Sequence, residues 1–387
     1  MFHRLGIRSL VLEAGDTLKN EGFAFTTWTN AWRALDAIGI AQILREKHNK
    51  ITGVVNTSAI SGITISQVSF DAIDLPADHE SRCLNRDILM ETLENELPSG
   101  TIRYSSKVVL IEDSGFFKSI HLADGTLVKT KVLIGCDGVN SVVAKFLGFD
   151  KPLYEGRLAI RGFGYFKDGH GFEPKFLQFS GEGVKYGIVP CDDHGVYWFL
   201  SFSSAAKGKE IQNDPAKMKL YVLSKLGKVS EKVRAVLDNT DLNSIICTPL
   251  RFRNPLEFLW GNISKDNVCI AGDALHPMTP DIGQGGCSSL EDCVVLARVL
   301  GEALMGEEKQ ENDEENEYRR IKIGLEKYAK ERRWRSFDLV TTSYVVGFVM
   351  QSDGVVMRFL KNKFLGKLLG GLGLKKSDFD CGKLTVS

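Results

Sequence analysis

The chain has 387 residues, 43% of them hydrophobic, which is enough apolar material for a sizeable core and for two lobes. Its 49 basic residues balance 49 acidic ones, so no overall field draws it to nucleic acid or to an anionic membrane. Eight cysteines without a Cys-x-x-Cys pair and seven histidines without ligand spacing argue against a disulfide framework and a metal site, and for free thiols in a reducing compartment, cytoplasm or plastid.

Met1–Gly6 is too short and too polar for the apolar core of a signal peptide. Arg8–Glu13 follows as an apolar strand ending in an acid. In a dinucleotide-binding fold such an acid holds a ribose hydroxyl and lies roughly 20 residues beyond a glycine-rich phosphate loop. Only 12 residues precede Glu13, so the first strand and the Gly-x-Gly-x-x-Gly loop are expected to be missing. Two explanations stay open: a truncated product of a longer chain, or a natural short form with weakened cofactor binding.

A helix is predicted from about Asn30 to Ile38, with Trp32, Leu35 and Ile38 on one face and Gly39 ending it. Alternation over Val54–Asp74 predicts a β-ribbon. Asn85 then caps a helix carrying Ile88, Leu89, Leu93 and Leu97, with Arg86 at its start, where a guanidinium is misplaced against the helix dipole. Strands follow at Thr101–Glu112, Ser119–Leu122 and Leu127–Lys129, the last two joined at Asp124-Gly125. The apolar run Val132–Ile134 delivers Gly135-Cys136-Asp137-Gly138, a carboxylate just past a buried strand, with Ser141 ready to cap the next helix.

From Pro152 to about Arg253 the texture turns to short β runs, Arg157–Phe166, Lys175–Phe179, Tyr186–Pro190 and Val196–Phe202, rich in aromatics that suit a core or an apolar pocket. Arg161 is an isolated cation in an apolar strand, costly unless something anionic meets it. The acid-rich stretch Gly306–Glu317 predicts a solvated loop. Leu339–Leu360 is interrupted by polar residues and reads as helix packed on the core. Phe359–Leu374, with lysines around leucines, suits a helix with one buried face in preference to a peripheral membrane contact.

The densest signal lies between. Asn267–Ala271 is a short strand, Gly272 permits a turn that presents Asp273, and Pro277 and Pro280 stiffen the loop. Gly283, Gln284, Gly285 and Gly286 then leave amides uncovered before the helical pattern Leu290, Val294, Ala297, Leu300, a start that attracts negative charge.

This stretch, through Glu291-Asp292, resembles the second FAD-binding motif of the group A flavin-dependent monooxygenases, the family of aromatic hydroxylases, salicylate hydroxylase and zeaxanthin epoxidase, and its plant members in particular. The resemblance implies that Asp273 contacts the ribityl chain and that Pro280 and Gly283–Gly286 face the pyrimidine end of the isoalloxazine. It further implies that Glu13 binds the ribose, that Arg86 reaches the ADP portion and that Asp137 touches FAD and the path of NAD(P)H. Arg161 falls where related hydroxylases place an arginine near the flavin, and Ala144 replaces an arginine usual to the Asp137 motif.

The implied fold is α/β, a Rossmann-like FAD-binding domain with an inserted mixed β-sheet substrate domain. Its expected boundaries are 1–150 and 256–345 for the FAD-binding parts, 151–255 for the substrate domain and 346–387 for C-terminal helices. The implied activity is NAD(P)H-dependent insertion of one oxygen atom from O2 into a small apolar or aromatic substrate through a flavin C4a-hydroperoxide, with no catalytic triad required. Two rivals stand beside it, a flavin-dependent isoprenoid reductase and a non-enzymatic remnant. His276, between Leu275 and Pro277, is expected to order the loop rather than to transfer protons.

Overall fold

The computed structural model describes residues 1–18, 22–181, 183–203, 211–305, 314–351 and 373–384. A seven-stranded mixed sheet dominates, and alternating side chains give it two faces of different use. Its strands, in spatial order, are Ile245–Phe252, Leu153–Tyr165, Gly195–Ser203, Val184–Pro190, Lys175–Gly181, Gly53–Ser58 and Thr64–Ser69. One face buries Leu158, Ile160, Tyr186, Trp198 and Leu200 beneath the helices Pro215–Lys225 and Glu231–Asp238. The other face carries Arg161, Phe199 and Gly187 in register across three strands.

The ribbon expected over Val54–Asp74 forms as the hairpin Gly53–Ser58 and Thr64–Ser69, and Gly53–Ser58 pairs in parallel with Lys175–Gly181. That parallel pairing joins segments over 100 residues apart, which local alternation does not register. The helices Pro215–Lys225 and Glu231–Asp238 occupy a stretch read only for strands. Their start signals are Asp214 before Pro215 and Ser230 before Glu231, and both side chains accept from helix amides.

Around this sheet lies a second body with smaller sheets. Val11–Leu12 pairs in parallel with Ile102–Arg103, and Leu133–Gly135 pairs in parallel with Val268–Ile270, in two separate sheets. Phe2–Leu5 is a single 3-10 turn closed by Gly6, and Leu5 packs against Gly301 of the helix Gly285–Met305. The helix Thr29–Ile38 buries Trp32, Leu35 and Ile38 and ends at Gly39, as its spacing predicts. The charged stretch continues differently from expectation: Glu314–Glu317 already belongs to the 38-residue helix Glu314–Gln351, while 306–313 lie outside the described residues. Most of Phe359–Leu374 also lies outside them, and no helix among the described residues is long and apolar enough to cross a membrane. Residues 373–384 return to the core, where Ser377 accepts the Asn30 N–H at 3.0 Å and Cys381 is buried.

Candidate functional site

The strand Val268–Ile270 leads into the turn Gly272–Ala274, where Gly272 adopts a φ of 59° that a side chain would strain. Asp273 is left exposed at the strand end. Below it, the Asp292 carboxylate accepts the Gly272 N–H at 2.7 Å and pairs with His276 Nε2 at 2.8 Å and Arg332 Nε at 2.6 Å. Burial alone would raise the Asp292 carboxyl, but Arg332, His276 and the Gly272 amide hold it down at about 2. Glu291, next to it, pairs with Arg332 at 2.8 Å and Arg335 at 2.7 Å. His276 is fully buried in this network, the loop-ordering place expected of it.

Gln284 is also fully buried, and its Oε1 accepts from Asn30 Nδ2 at 2.8 Å, which turns its side chain to the interior. Pro280 starts a 3-10 turn that Gly283 ends at a φ of 61°. The helix then begins at Gly285, and its first backbone bond from this end is donated by Ser288 to Gln284. The amides of Gly285 and Gly286 thus have no acceptor within the helix, the usual condition of a helix start. Gly286 is exposed, yet a Cβ there would lie 2.6 Å from the Phe25 ring, so glycine lets the strand Ala24–Thr27 approach.

Arg86 heads the helix Arg86–Asn95, capped by the Asn85 side chain, which accepts from Asp87 N–H at 2.9 Å. Desolvation by the surrounding walls lowers the Arg86 pKa, Arg161 lowers it further, and Asp273 opposes both. Arg86 and Asp273 are exposed and Arg161 is half-buried, and the Arg86 guanidinium lies within electrostatic reach of both others, so the three line one polar trough. The turn Gly138–Asn140 packs against the turn Gly272–Ala274 at its side. There Asp137 is exposed, and its carboxylate accepts from the Ser141 hydroxyl and from Val142 N–H at 2.7 Å, which braces the start of the helix Val142–Phe146 that Ser141 caps. Ala144, in the place of the expected arginine, is buried in that helix. Glu13 lies beyond the strand Val11–Leu12, and its Oε1 accepts the Gly15 N–H at 2.6 Å.

The sheet side of the trough holds groups that chain order did not single out. Lys185 shares the face of Arg161 and Phe199, and burial lowers its ammonium pKa while Asp281 opposes. Arg157 joins Glu155 and Asp281, at 2.7 Å to the latter, with both partners nearly covered. This ties the sheet to the loop that contains Pro280. Its sequence signal is a strand cation, Arg157, two residues from an acid. The Arg161 side chain takes part in no hydrogen bond or ion pair among the described residues.

The arrangement suits the riboflavin half of FAD. A helix start offers amides to the anionic end of a ring, Asp273 offers a carboxylate to hydroxyls, and the glycines leave room for close approach. A family model described as an FAD-binding domain matches residues 1–325. The chain belongs to the FAD-dependent monooxygenases. Among relatives, "Monooxygenase 2" of Arabidopsis thaliana is 52% identical over 386 residues, covering 99% of this chain and 93% of that protein. "Monooxygenase 1" of the same plant is 33% identical over 386 residues, covering 99% and 94%. Among solved structures, Klebsiella pneumoniae HpxO complexed with FAD and uric acid superposes with a TM-score of 0.80 at 20% identity, covering 97% of this chain and 92% of that one, a likeness of fold. This monooxygenase therefore carries the Rossmann-like FAD-binding fold with a large mixed sheet set against it.

Proposed function

We propose that the protein is an NAD(P)H-using, FAD-dependent monooxygenase of the aromatic-hydroxylase type, placing one oxygen atom from O2 in a small apolar or aromatic substrate. The observation that carries this reading is the exposed Asp273, at the turn that packs on the helix begun at Gly285, with the Arg86 guanidinium within electrostatic reach of both Asp273 and Arg161. Bound FAD would supply the redox chemistry, accepting electrons from the nicotinamide and activating O2. Asp273 would hold the ribityl hydroxyls, and the amides at Gly285 and Gly286 would stabilise negative charge on the reduced ring. Arg86 and Arg161 would add positive charge, while the aromatics of the sheet face would seat the substrate and keep water away.

Oxygen uptake decides the matter. With FAD and NADPH supplied, a panel of small phenols, indoles and terpenoids should contain a compound that stimulates NADPH oxidation with matching O2 consumption and a product heavier by one oxygen. Stimulated NADPH oxidation without O2 uptake would instead mark a reductase and overturn the proposal.

A further inference from the structure

Two thiols the flavin chemistry does not use lie together in the wall of the trough. Cys83, in the strand Arg82–Asn85, and Cys191, just past the strand Val184–Pro190, are both fully buried, with their Sγ atoms 3.0 Å apart. They are 108 residues apart in sequence: Cys83 lies in the two-stranded ribbon formed by Ala24–Thr27 and Arg82–Asn85, and Cys191 directly follows a strand of the seven-stranded sheet. Ala24, Ile51, Phe70, Val189 and Tyr197 surround them. Both backbones are pinned. Cys83 pairs with Thr26 in the ribbon, while Cys191 donates its N–H to Gly195 at 2.9 Å and accepts from Asn49 at 2.9 Å.

We propose that Cys83 and Cys191 form a peroxide-driven disulfide that staples the ribbon leading to Arg86 onto the substrate-facing sheet. One thiol reduces hydrogen peroxide, becoming a sulfenic acid and releasing water. The second sulfur then displaces the hydroxyl, forming the S–S bond and releasing a second water. The two thiols lose two electrons and two protons in all, and the peroxide is reduced to two waters. A bond of about 2.05 Å requires the sulfurs to approach by roughly 1 Å, within reach of side-chain rotation. Burial raises the Cys83 pKa well above that of an ordinary thiol, so the folded, reduced pair should react slowly both with alkylating reagents and with peroxide, and the link forms on prolonged exposure to peroxide. The two exposed cysteines, Cys136 and Cys293, should react first with alkylating reagents.

The proposal concerns the wall itself and stands whatever substrate the enzyme takes. The reduced, full-length protein would be treated with hydrogen peroxide, denatured and alkylated. Its free thiols should fall from eight to six, and peptide mapping should find Cys83 linked to Cys191. Mild reduction should restore all eight, and the oxidised form should melt about 5 °C higher, because the cross-link closes a long loop. Peroxide treatment of Cys83→Ser should leave Cys191 alkylatable. If Cys83 and Cys191 of the peroxide-treated wild-type chain are both alkylated after denaturation, or the link maps to another pair, the proposal is wrong.

Discussion

Asp273 and Asp292 lie at the two ends of one short stretch and do opposite work. Asp273 is exposed, and no hydrogen bond or ion pair involves its side chain among the described residues, so its removal leaves the fold its contacts. Asp273→Ala should weaken FAD binding about tenfold, the worth of one hydrogen bond to a charged group, while leaving the melting temperature within a degree or two. Fluorescence titration and calorimetry on the same preparation separate the two effects. Asp292, by contrast, is fully buried and holds Arg332, His276 and the Gly272 amide. Its carboxyl, near 3.8 when unperturbed, sits at about 2 in the fold. A depressed folded pKa contributes stability that is complete above about pH 4 and disappears as the pH falls toward 2, amounting to about 2–3 kcal/mol. Urea unfolding between pH 5 and 2 should show that loss in the wild type and a flatter profile in Asp292→Asn, whose stability is lower at neutral pH.

Helix starts position the charged groups of the trough. The Asn85 side chain satisfies amides of the helix Arg86–Asn95, and this cap fixes where Arg86 emerges. Asn85→Ala should cost about 1 kcal/mol in urea unfolding and should weaken FAD binding as well, because Arg86 loses its anchor. Restoring the cap with Asn85→Ser should recover both. The Asp137 carboxylate likewise braces the start of Val142–Phe146. A carboxylate after a strand can serve a ligand or a helix, and only the distances to Ser141 and Val142 show the second use. Gln284 presents the same ambiguity: its place among the glycines points to a ligand, while its bond to Asn30, 254 residues away, turns the side chain inward.

At the scale of the molecule, two ionic ties set the parts against one another. Arg332 and Arg335 join the long helix to Glu291 and Asp292. Arg157, in the sheet, reaches Asp281 of the loop that contains Pro280 across 124 residues. The second tie is buried, so removing its cation takes from Glu155 and Asp281 the guanidinium that both pair with. Arg157→Met should lower stability by about 3–5 kcal/mol, and the double variant Arg157→Met, Asp281→Asn should recover part of that loss in chemical unfolding. Sequence alone determined the elements whose signals are local: the amphipathic helix Thr29–Ile38, the Asn85 cap, the turn at Gly272 and the glycine-bearing helix start at Gly285, because each is written in residues a few positions apart. Tertiary structure decided what depends on distant partners. It set the parallel pairing of Gly53–Ser58 with Lys175–Gly181, the helices that cover the sheet, the ion pairs of Arg157 and Arg332 and the meeting of Cys83 with Cys191, since side chains carry no mark of a partner brought near only by folding.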